Sequence, residues 1–512
     1  MTQEITADPA LGRLADAVLI PPFGSGREPD WIRAALRGGL AGVTLFGPNV
    51  QDGRQLSALT ARLRAATTEP VIAIDEEGGD VTRISHRTGS DYPGNAALGA
   101  IDDTELTRLV YAALGADLAA LGINLDLAPA VDVNTAPDNP VIGTRSFGAD
   151  PDLVARHAAA AVTGLQSAGV AACAKHFPGH GSTSADSHLV LATVDAPLSI
   201  VRSRDLPPFE AAIGAGVRAV MPSHLRVPEL TGDLPASLSR RAQTDLLRGE
   251  LGFTGVIVSD GLEMRAVSEP YGIPEAAVLA VIAGTDLLCL GRDQDQRSFL
   301  AVRAALVEAV RSGRLPGERL EEAAARVADL RAWTSAAALP AAARAGGAPR
   351  AGDGAGRTAG APAIVPIGLA AARRAVAVSG QLPAAGRPLV VQLVPPSNLA
   401  VGAVPWGLAA FVPADSYREI STATPATGLA AAVSPVLADA AGRPLVIVVR
   451  DAHRHATAAG AVTLMLAERP DAVVVEMGLP VWRPAAGSYL ASYGAARSNS
   501  RAAAEVLGLT GR

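Results

Sequence analysis

The sequence predicts an α/β protein: a (β/α)8 TIM-type barrel followed by a smaller α/β domain with a largely parallel sheet. Three observations carry this. Eight short apolar runs, rich in β-branched residues, alternate with segments of helical period across residues 18–291, the order that builds a parallel sheet with helices outside it. Four of the eight runs finish in ionisable residues, as strands do when their C-terminal ends meet at the mouth of a barrel. The pattern then dissolves into a stretch dominated by Ala, Gly, Pro and Arg, and resumes on a smaller scale.

The runs are Val18 to Phe23, Gly42 to Gly47, Val71 to Glu76, Ile123 to Pro129, Ala172 to Pro178, Ala219 to His224, Gly255 to Asp260 and Thr285 to Gly291. Asp75 and Glu76 close the third, Lys175 and His176 the fifth, His224 the sixth and Asp260 the seventh. A helix-capping role suits Ser259 but not a lysine at a strand end. Residues 335–365 read as a linker between a barrel domain (1–334) and a C-terminal domain (366–512). In the latter, apolar runs at Pro388 to Val394, Pro444 to Val449 and Asp471 to Val475 alternate with Ala-rich helical segments such as Ala456 to Leu466, again the pattern of a parallel sheet.

A chain of 512 residues exceeds the roughly 250–300 residues that one hydrophobic core serves, so two domains are expected. Apolar residues make up 49%, charged residues 18%, and the mean hydropathy is +0.25, a balance that buries large cores. The net charge of −6 implies no basic surface for nucleic acid. Cys173 and Cys289, the only cysteines, lie in apolar runs and read as core residues rather than a disulfide. The segment Met1 to Asp8 is acidic and lacks the regions of a signal peptide. No uninterrupted apolar stretch of about 18 residues occurs, so a cytoplasmic protein without a membrane span is expected.

Lys175 is the only lysine, so 43 of the 44 basic residues (44 − 1) are arginines. With arginine everywhere else, the survivor marks a site where a compact ammonium cannot be exchanged for a planar guanidinium. It opens Lys175-His176-Phe177-Pro178-Gly179-His180-Gly181-Ser182-Thr183-Ser184-Ala185-Asp186-Ser187-His188, which holds three of the eight histidines. Pro178, Gly179 and Gly181 break any helix, so this is predicted as a loop over the barrel mouth. His176, His180, Asp186 and His188 are of metal-ligating type. The intervening Pro-Gly forbids the helix on which a His-x3-His pair holds zinc, so neither metal nor other cofactor is expected. The preferred reading is a dyad in which Asp186 orients and polarises His188 as general acid/base. Lys175 and His176 then serve as fixed donors to substrate oxygens. The carboxylate of a double displacement is Asp260, with Glu263 a weaker competitor.

These residues resemble glycoside hydrolase family 3, in its β-N-acetylglucosaminidase (β-N-acetylhexosaminidase) branch. The resemblance rests on Ile74-Asp75-Glu76-Glu77-Gly78-Gly79 with Arg83, Asp126-Leu127-Ala128-Pro129, Asn139 to Gly148, the Lys175 to His188 segment, and Ser259-Asp260 with Met264. It implies a retaining mechanism with Asp260 as nucleophile and a His188–Asp186 acid/base, unlike the usual two-carboxylate scheme. It further implies that Asp75, Arg145, Lys175 and His176 bind the terminal sugar, which makes the enzyme exo-acting; Arg83 and His224 join them as binding candidates. Two departures, Glu76 where the family often has Gln and Asp80 where it often has Arg, add negative charge near the mouth. The second domain resembles that of longer members through Arg450 to His455, Val474 to Pro480 and Ser492 to Ala495. There His453 and His455 read as surface histidines beside a strand end, with a position facing the barrel as the alternative.

The expected function is therefore an exo-acting retaining β-N-acetylglucosaminidase acting on a small carbohydrate, with peptidoglycan muropeptide fragments as the expected source of terminal N-acetylglucosamine. The oligomeric state is not legible. Alternatives on the same fold are a β-glucosidase or β-xylosidase, disfavoured by the Asp186-Ser187-His188 loop, and a phosphorylase, since a neutral acid/base tolerates a phosphate acceptor. A non-catalytic sugar- or muropeptide-binding protein is the alternative of another class; the presence of Asp260 together with the dyad argues against it.

Overall fold

The computed structural model describes residues 9–186, 190–344, 365–382, 386–396, 400–423 and 428–510. Each predicted run of the first domain contains a strand: β1 (Leu19–Ile20), β2 (Gly42–Leu45), β3 (Val71–Ile74), β4 (Leu125–Asp126), β5 (Ala171–Phe177), β6 (Ala219–Pro222), β7 (Val256–Ile257) and β8 (Leu288–Cys289). β2 to β7 form a parallel sheet in chain order, and β1 pairs with β8. The ring closes through a parallel bridge between Val258 and Leu287, which extends β7 against β8. At the other seam the Thr44 N–H donates to the Pro21 carbonyl at 3.3 Å.

Strand alternation divides the core in two. In β3, Val71 and Ala73 face the barrel interior with Leu125, Cys173, Met221 and Cys289, while Ile72 and Ile74 face the outer helices. The helix Gly53–Ala66 starts where the Asp52 side chain accepts from the Gln55 N–H, and its i, i+3, i+7 residues Leu56, Leu59 and Leu63 are fully buried. Each such leucine contributes about 1.5–3 kcal/mol. Both cysteines are free and buried. Burial pushes both thiols up, Cys289 to about 12, so they are inert fillers, as expected.

The second domain has strands β9 (Ala377–Ser379), β10 (Leu389–Val394), β11 (Tyr417–Ser421), β12 (Leu445–Val449), β13 (Val473–Glu476) and β14 (Ser488–Ala491). Their order in the sheet is β9-β14-β13-β12-β10-β11, parallel except where β9 meets β14. The predicted helix is present as Ala456–Glu468. The predicted linker begins later than expected, because the helix Gly317–Arg344 runs through residues 335–344. That segment is mostly alanine, a strong helix former, and the glycines that break helices fall after it. Residues 345–364 lie outside the described residues. Among the described residues no single helix is long and apolar enough to cross a membrane.

Asp80 joins the two domains. One carboxylate oxygen accepts from the Arg450 guanidinium at 3.0 Å and the Thr144 hydroxyl at 2.7 Å, and the other accepts from the Ala495 N–H at 2.8 Å. Asp80 is thus spent on the interface and adds no uncompensated charge at the mouth. His453 also faces the barrel, donating from Nε2 to the Pro137 carbonyl at 2.6 Å, which corrects its reading as a surface histidine. Replacing Asp80 with alanine strands a largely buried guanidinium. The expected cost is about 3 kcal/mol, visible as a lower urea midpoint; an unchanged midpoint would show that the interface does not depend on this carboxylate.

Candidate active site

The strand ends converge as predicted. Ser259 continues β7 toward β8, its N–H donating to the Leu287 carbonyl at 2.8 Å and its hydroxyl accepting from the Cys289 N–H at 2.9 Å. It therefore locks a barrel seam rather than capping a helix, and it fixes the backbone that carries Asp260. The Gly261 N–H donates to Asp260 Oδ1 at 2.8 Å. His224 Nε2 donates to the Gly261 carbonyl at 3.0 Å, and Nδ1 accepts from the Ser237 hydroxyl at 2.6 Å. His224 is not among the residues lining the cavity at this mouth; its bond to Gly261 steadies the turn after Asp260.

A cavity of about 110 Å³ sits at this mouth, with Asp75, Arg83, Arg145, Lys175, His176 and Asp260 in its wall. Lys175 is 3% exposed, and its ammonium reaches Asp75 Oδ1 at 2.5 Å and Glu77 Oε1 at 2.7 Å. Arg83 meets the other oxygen of Asp75 at 2.8 Å and also donates to the Ala400 carbonyl of the second domain at 3.0 Å. Arg145 grips Glu77 with two hydrogen bonds, at 2.8 and 2.6 Å. Burial works to raise the Asp75 pKa, but Lys175, Arg83 and Arg145 overcome it and hold the carboxyl well below its usual range. Burial likewise opposes the Lys175 charge, and Asp75 and Glu77 outweigh it, so the ammonium is held more firmly than in water.

His176 lies in the cavity wall between Asp132 and Arg145. Its Nε2 lies 3.3 Å from the Arg145 guanidinium, which can only donate, so Nδ1 carries the proton that it gives to Asp132 at 2.8 Å. The contact with Asp132 fixes the ring in the cavity wall. Asp132 also accepts from the His180 N–H at 2.7 Å. Burial pushes the His180 imidazole down to about 4, leaving it neutral in the cavity wall.

Asp186 is half-buried and lines a second, adjoining cavity rather than the one containing Asp260. His188, the other member of the expected dyad, lies outside the described residues.

Residues 28–330 match the family described as Glycosyl hydrolase family 3 N terminal domain, which is more than half of the chain. The chain belongs to glycosyl hydrolase family 3. Among the family 3 relatives it is similar to, "Beta-hexosaminidase A" of Pseudoalteromonas piscicida is 35% identical over 329 residues, covering 59% of this chain and 55% of that protein. The chain thus matches about half the length of that relative. "Beta-hexosaminidase" of Stenotrophomonas maltophilia is 38% identical over 270 residues, 51% of this chain and 78% of the relative. A solved structure of a glycoside hydrolase family 3 β-N-acetylglucosaminidase from Paenibacillus sp. str. FPU-7 superposes with a TM-score of 0.83 at 30% identity, covering 97% of this chain and 96% of its own.

Within this family 3 barrel, Glu77, Asp132 and the backbone of Ala400 are site components that sequence reasoning missed. Glu77 was visible only as the third acid of Asp75-Glu76-Glu77, and nothing near Ala400 signals its proximity. Glu76 points away from the cavity: one oxygen accepts from the Thr82 hydroxyl and the Arg83 and Ile84 N–H groups, and the other, buried, has no partner among the described residues. Burial pushes its carboxyl up to about 7, so it brings little charge to the mouth. Glu263, in the cavity wall beside Asp260, is likewise pushed up to about 7 by burial, which suits it poorly as the nucleophile.

Below about pH 4.5 Glu76 is protonated in both folded and unfolded chains. Between 4.5 and about 7 the unfolded chain releases the proton while the folded one keeps it, so stability falls as pH rises and the loss is complete above that window. Glu76→Gln keeps the accepting oxygen and has no proton to lose. Relative to it, the wild type is expected to lose about 2–3 kcal/mol between pH 5 and 8, read from urea midpoints; parallel profiles would show that Glu76 ionises normally.

Proposed function

We propose that the chain is an exo-acting, retaining β-N-acetylglucosaminidase. The observation that supports this most is that Asp260 shares one small cavity with Asp75, Arg145 and Lys175, a nucleophile beside pre-set charged partners for sugar hydroxyls. The relatives named β-hexosaminidase and the Paenibacillus enzyme supply the substrate class. A cavity of about 110 Å³, walled by Arg83 and the second domain, suits a single terminal sugar. The barrel, residues 1–334, carries the chemistry, and residues 366–512 form the outer wall. The finer reading of the substrate is a peptidoglycan muropeptide fragment with N-acetylglucosamine at its end.

In the first half-reaction a carboxylate oxygen of Asp260 attacks the anomeric carbon. The bond from that carbon to the leaving oxygen breaks, and the imidazolium of His188, polarised by Asp186, protonates that oxygen. In the second, neutral His188 takes a proton from water, whose oxygen attacks the anomeric carbon and releases the Asp260 carboxylate. Two displacements retain the configuration. Lys175 and Arg145, each anchored to carboxylates, hold their charges in place throughout and need no reorganisation as the reaction proceeds.

Asp260→Asn is expected to lower kcat/KM on 4-nitrophenyl β-N-acetylglucosaminide by roughly 10⁴-fold or more with an unchanged circular dichroism spectrum; wild-type turnover would sink the nucleophile assignment. For His188→Ala, alkyl glycosides should lose roughly 10²-fold more than the nitrophenyl glycoside, whose leaving group needs no proton. Equal losses on both would remove His188 from the acid role.

A further inference from the structure

Gly261, the residue after Asp260, is held on three sides. Its N–H donates to Asp260 Oδ1 at 2.8 Å and its carbonyl accepts from His224 at 3.0 Å. Its open face lies against Glu263, where a Cβ would overlap the carboxyl. A Cβ on Gly291, in the turn after β8, would overlap the same carboxyl, and that glycine has a φ of 83°, where other residues are strained. Two glycines from two turns thus leave the slot that the Glu263 carboxyl fills. Glu263 Oε1 accepts from the Arg292 N–H at 2.7 Å, and the Glu263 carbonyl accepts from the Ser268 hydroxyl at 2.8 Å. The side chain therefore ties the turn after β7 to the turn after β8, in the wall of the cavity that holds Asp260.

The other oxygen decides the form of the acid. Glu263 Oε2 is buried and has no hydrogen-bond partner among the described residues. A carboxylate there would carry an uncompensated charge beside Asp260, whereas a neutral acid leaves only a hydroxyl unpaired, at far smaller cost. The surroundings favour the neutral form. Burial opposes ionisation most strongly and the Asp260 charge on the same turn adds to it; the N–H and guanidinium of Arg292 work the other way and do not prevail. On the helix Arg265–Tyr271, Arg265 and Glu269 pair with each other at 2.6 Å in exposed positions. Burial keeps Cys289 of β8 neutral, and across the cavity Asp75, Lys175, Arg83 and Arg145 are engaged in their own network.

We propose that Glu263 is a positioning residue for Asp260 and works as the neutral acid: wedged between Gly261 and Gly291, it fixes the turn whose N–H holds the nucleophile and spares that nucleophile a second negative charge. The inference rests on the reading of Asp260 as nucleophile. Ionisation of Glu263 would set two carboxylates side by side and drive the charged oxygen out of the glycine slot toward water. Gly261 would then lose its backing and Asp260 its fixed direction.

The test is the profile of kcat/KM on 4-nitrophenyl β-N-acetylglucosaminide from about pH 5.5 to about pH 9. This leaving group needs no proton, and kcat/KM ends at the first irreversible step, so titration of His188 stays out of the profile. Glu76, pushed up to the same range, is common to every chain compared. The wild type is expected to fall by about tenfold between about pH 6 and about pH 9. Glu263→Ala, which empties the slot, should lose about tenfold already at about pH 6. Glu263→Gln keeps an accepting oxygen and has no proton to lose; it should return to within about threefold of the wild type at about pH 6 and stay level to about pH 9. A wild-type profile that stays level, or one of the same shape in Glu263→Gln, would overturn the proposal. So would a Gln variant no better than Ala, which would make Glu263 a working carboxylate. Wild-type turnover by Asp260→Asn would overturn the nucleophile reading, and absence of wild-type turnover at every pH would overturn the glycosidase reading beneath both.

Discussion

A lysine with almost no exposure, flanked by two carboxylates that are themselves held by two arginines, is the constraint on which the barrel mouth depends. Arg83, Asp75, Lys175, Glu77 and Arg145 form one chain of alternating charge, drawn from the end of β3, the end of β5 and the turn at Gly143–Arg145. Taking each ion out of water costs several kcal/mol, and only the neighbours on either side offset it. The network therefore behaves as a unit: loss of any member leaves a buried charge uncompensated. The same feature makes the wall suitable for catalysis, because its dipoles and charges are already oriented before a sugar enters.

The second domain is part of this arrangement rather than an appendage. Arg83 is held from one side by Asp75 and from the other by the Ala400 carbonyl, so a group in the cavity wall is positioned jointly by both domains. Asp80 does the same for the loop carrying Thr144, one residue before Arg145. Two of the β-hexosaminidase relatives align with only 51–59% of this chain, whereas the Paenibacillus structure matches it over 97%. The two-part architecture is thus shared with a solved family 3 enzyme.

What was legible in the sequence follows from one-dimensional rules. The eight strands showed because buried parallel strands are apolar throughout and end in polar residues at the mouth. Lys175 and Asp260 stand out because both lie at strand ends, where a helix cap competes as an explanation for the acid and suits the lone lysine badly. Partnerships did not show, since they are decided by which loops meet. The proton of His176 went to Asp132 because Arg145 occupies its other face, and that depends on the fold of 130–145 over β5. Ser259 was read as a cap because its partner, the Cys289 N–H, is 30 residues away. The linker begins late because alanine, which dominates 335–344, favours helix enough to carry it past Pro340, and the glycines that end it fall after Arg344.

The solitary lysine has a further consequence. A lysine-specific endoprotease has one target in all 512 residues, the bond after Lys175, and that residue is 3% exposed in the wall of the barrel-mouth cavity. Cleavage requires the barrel to open, so the appearance of two fragments counts opening events at the candidate site itself. The composition that concealed every other lysine has left a built-in reporter of local unfolding, readable on a gel without any label.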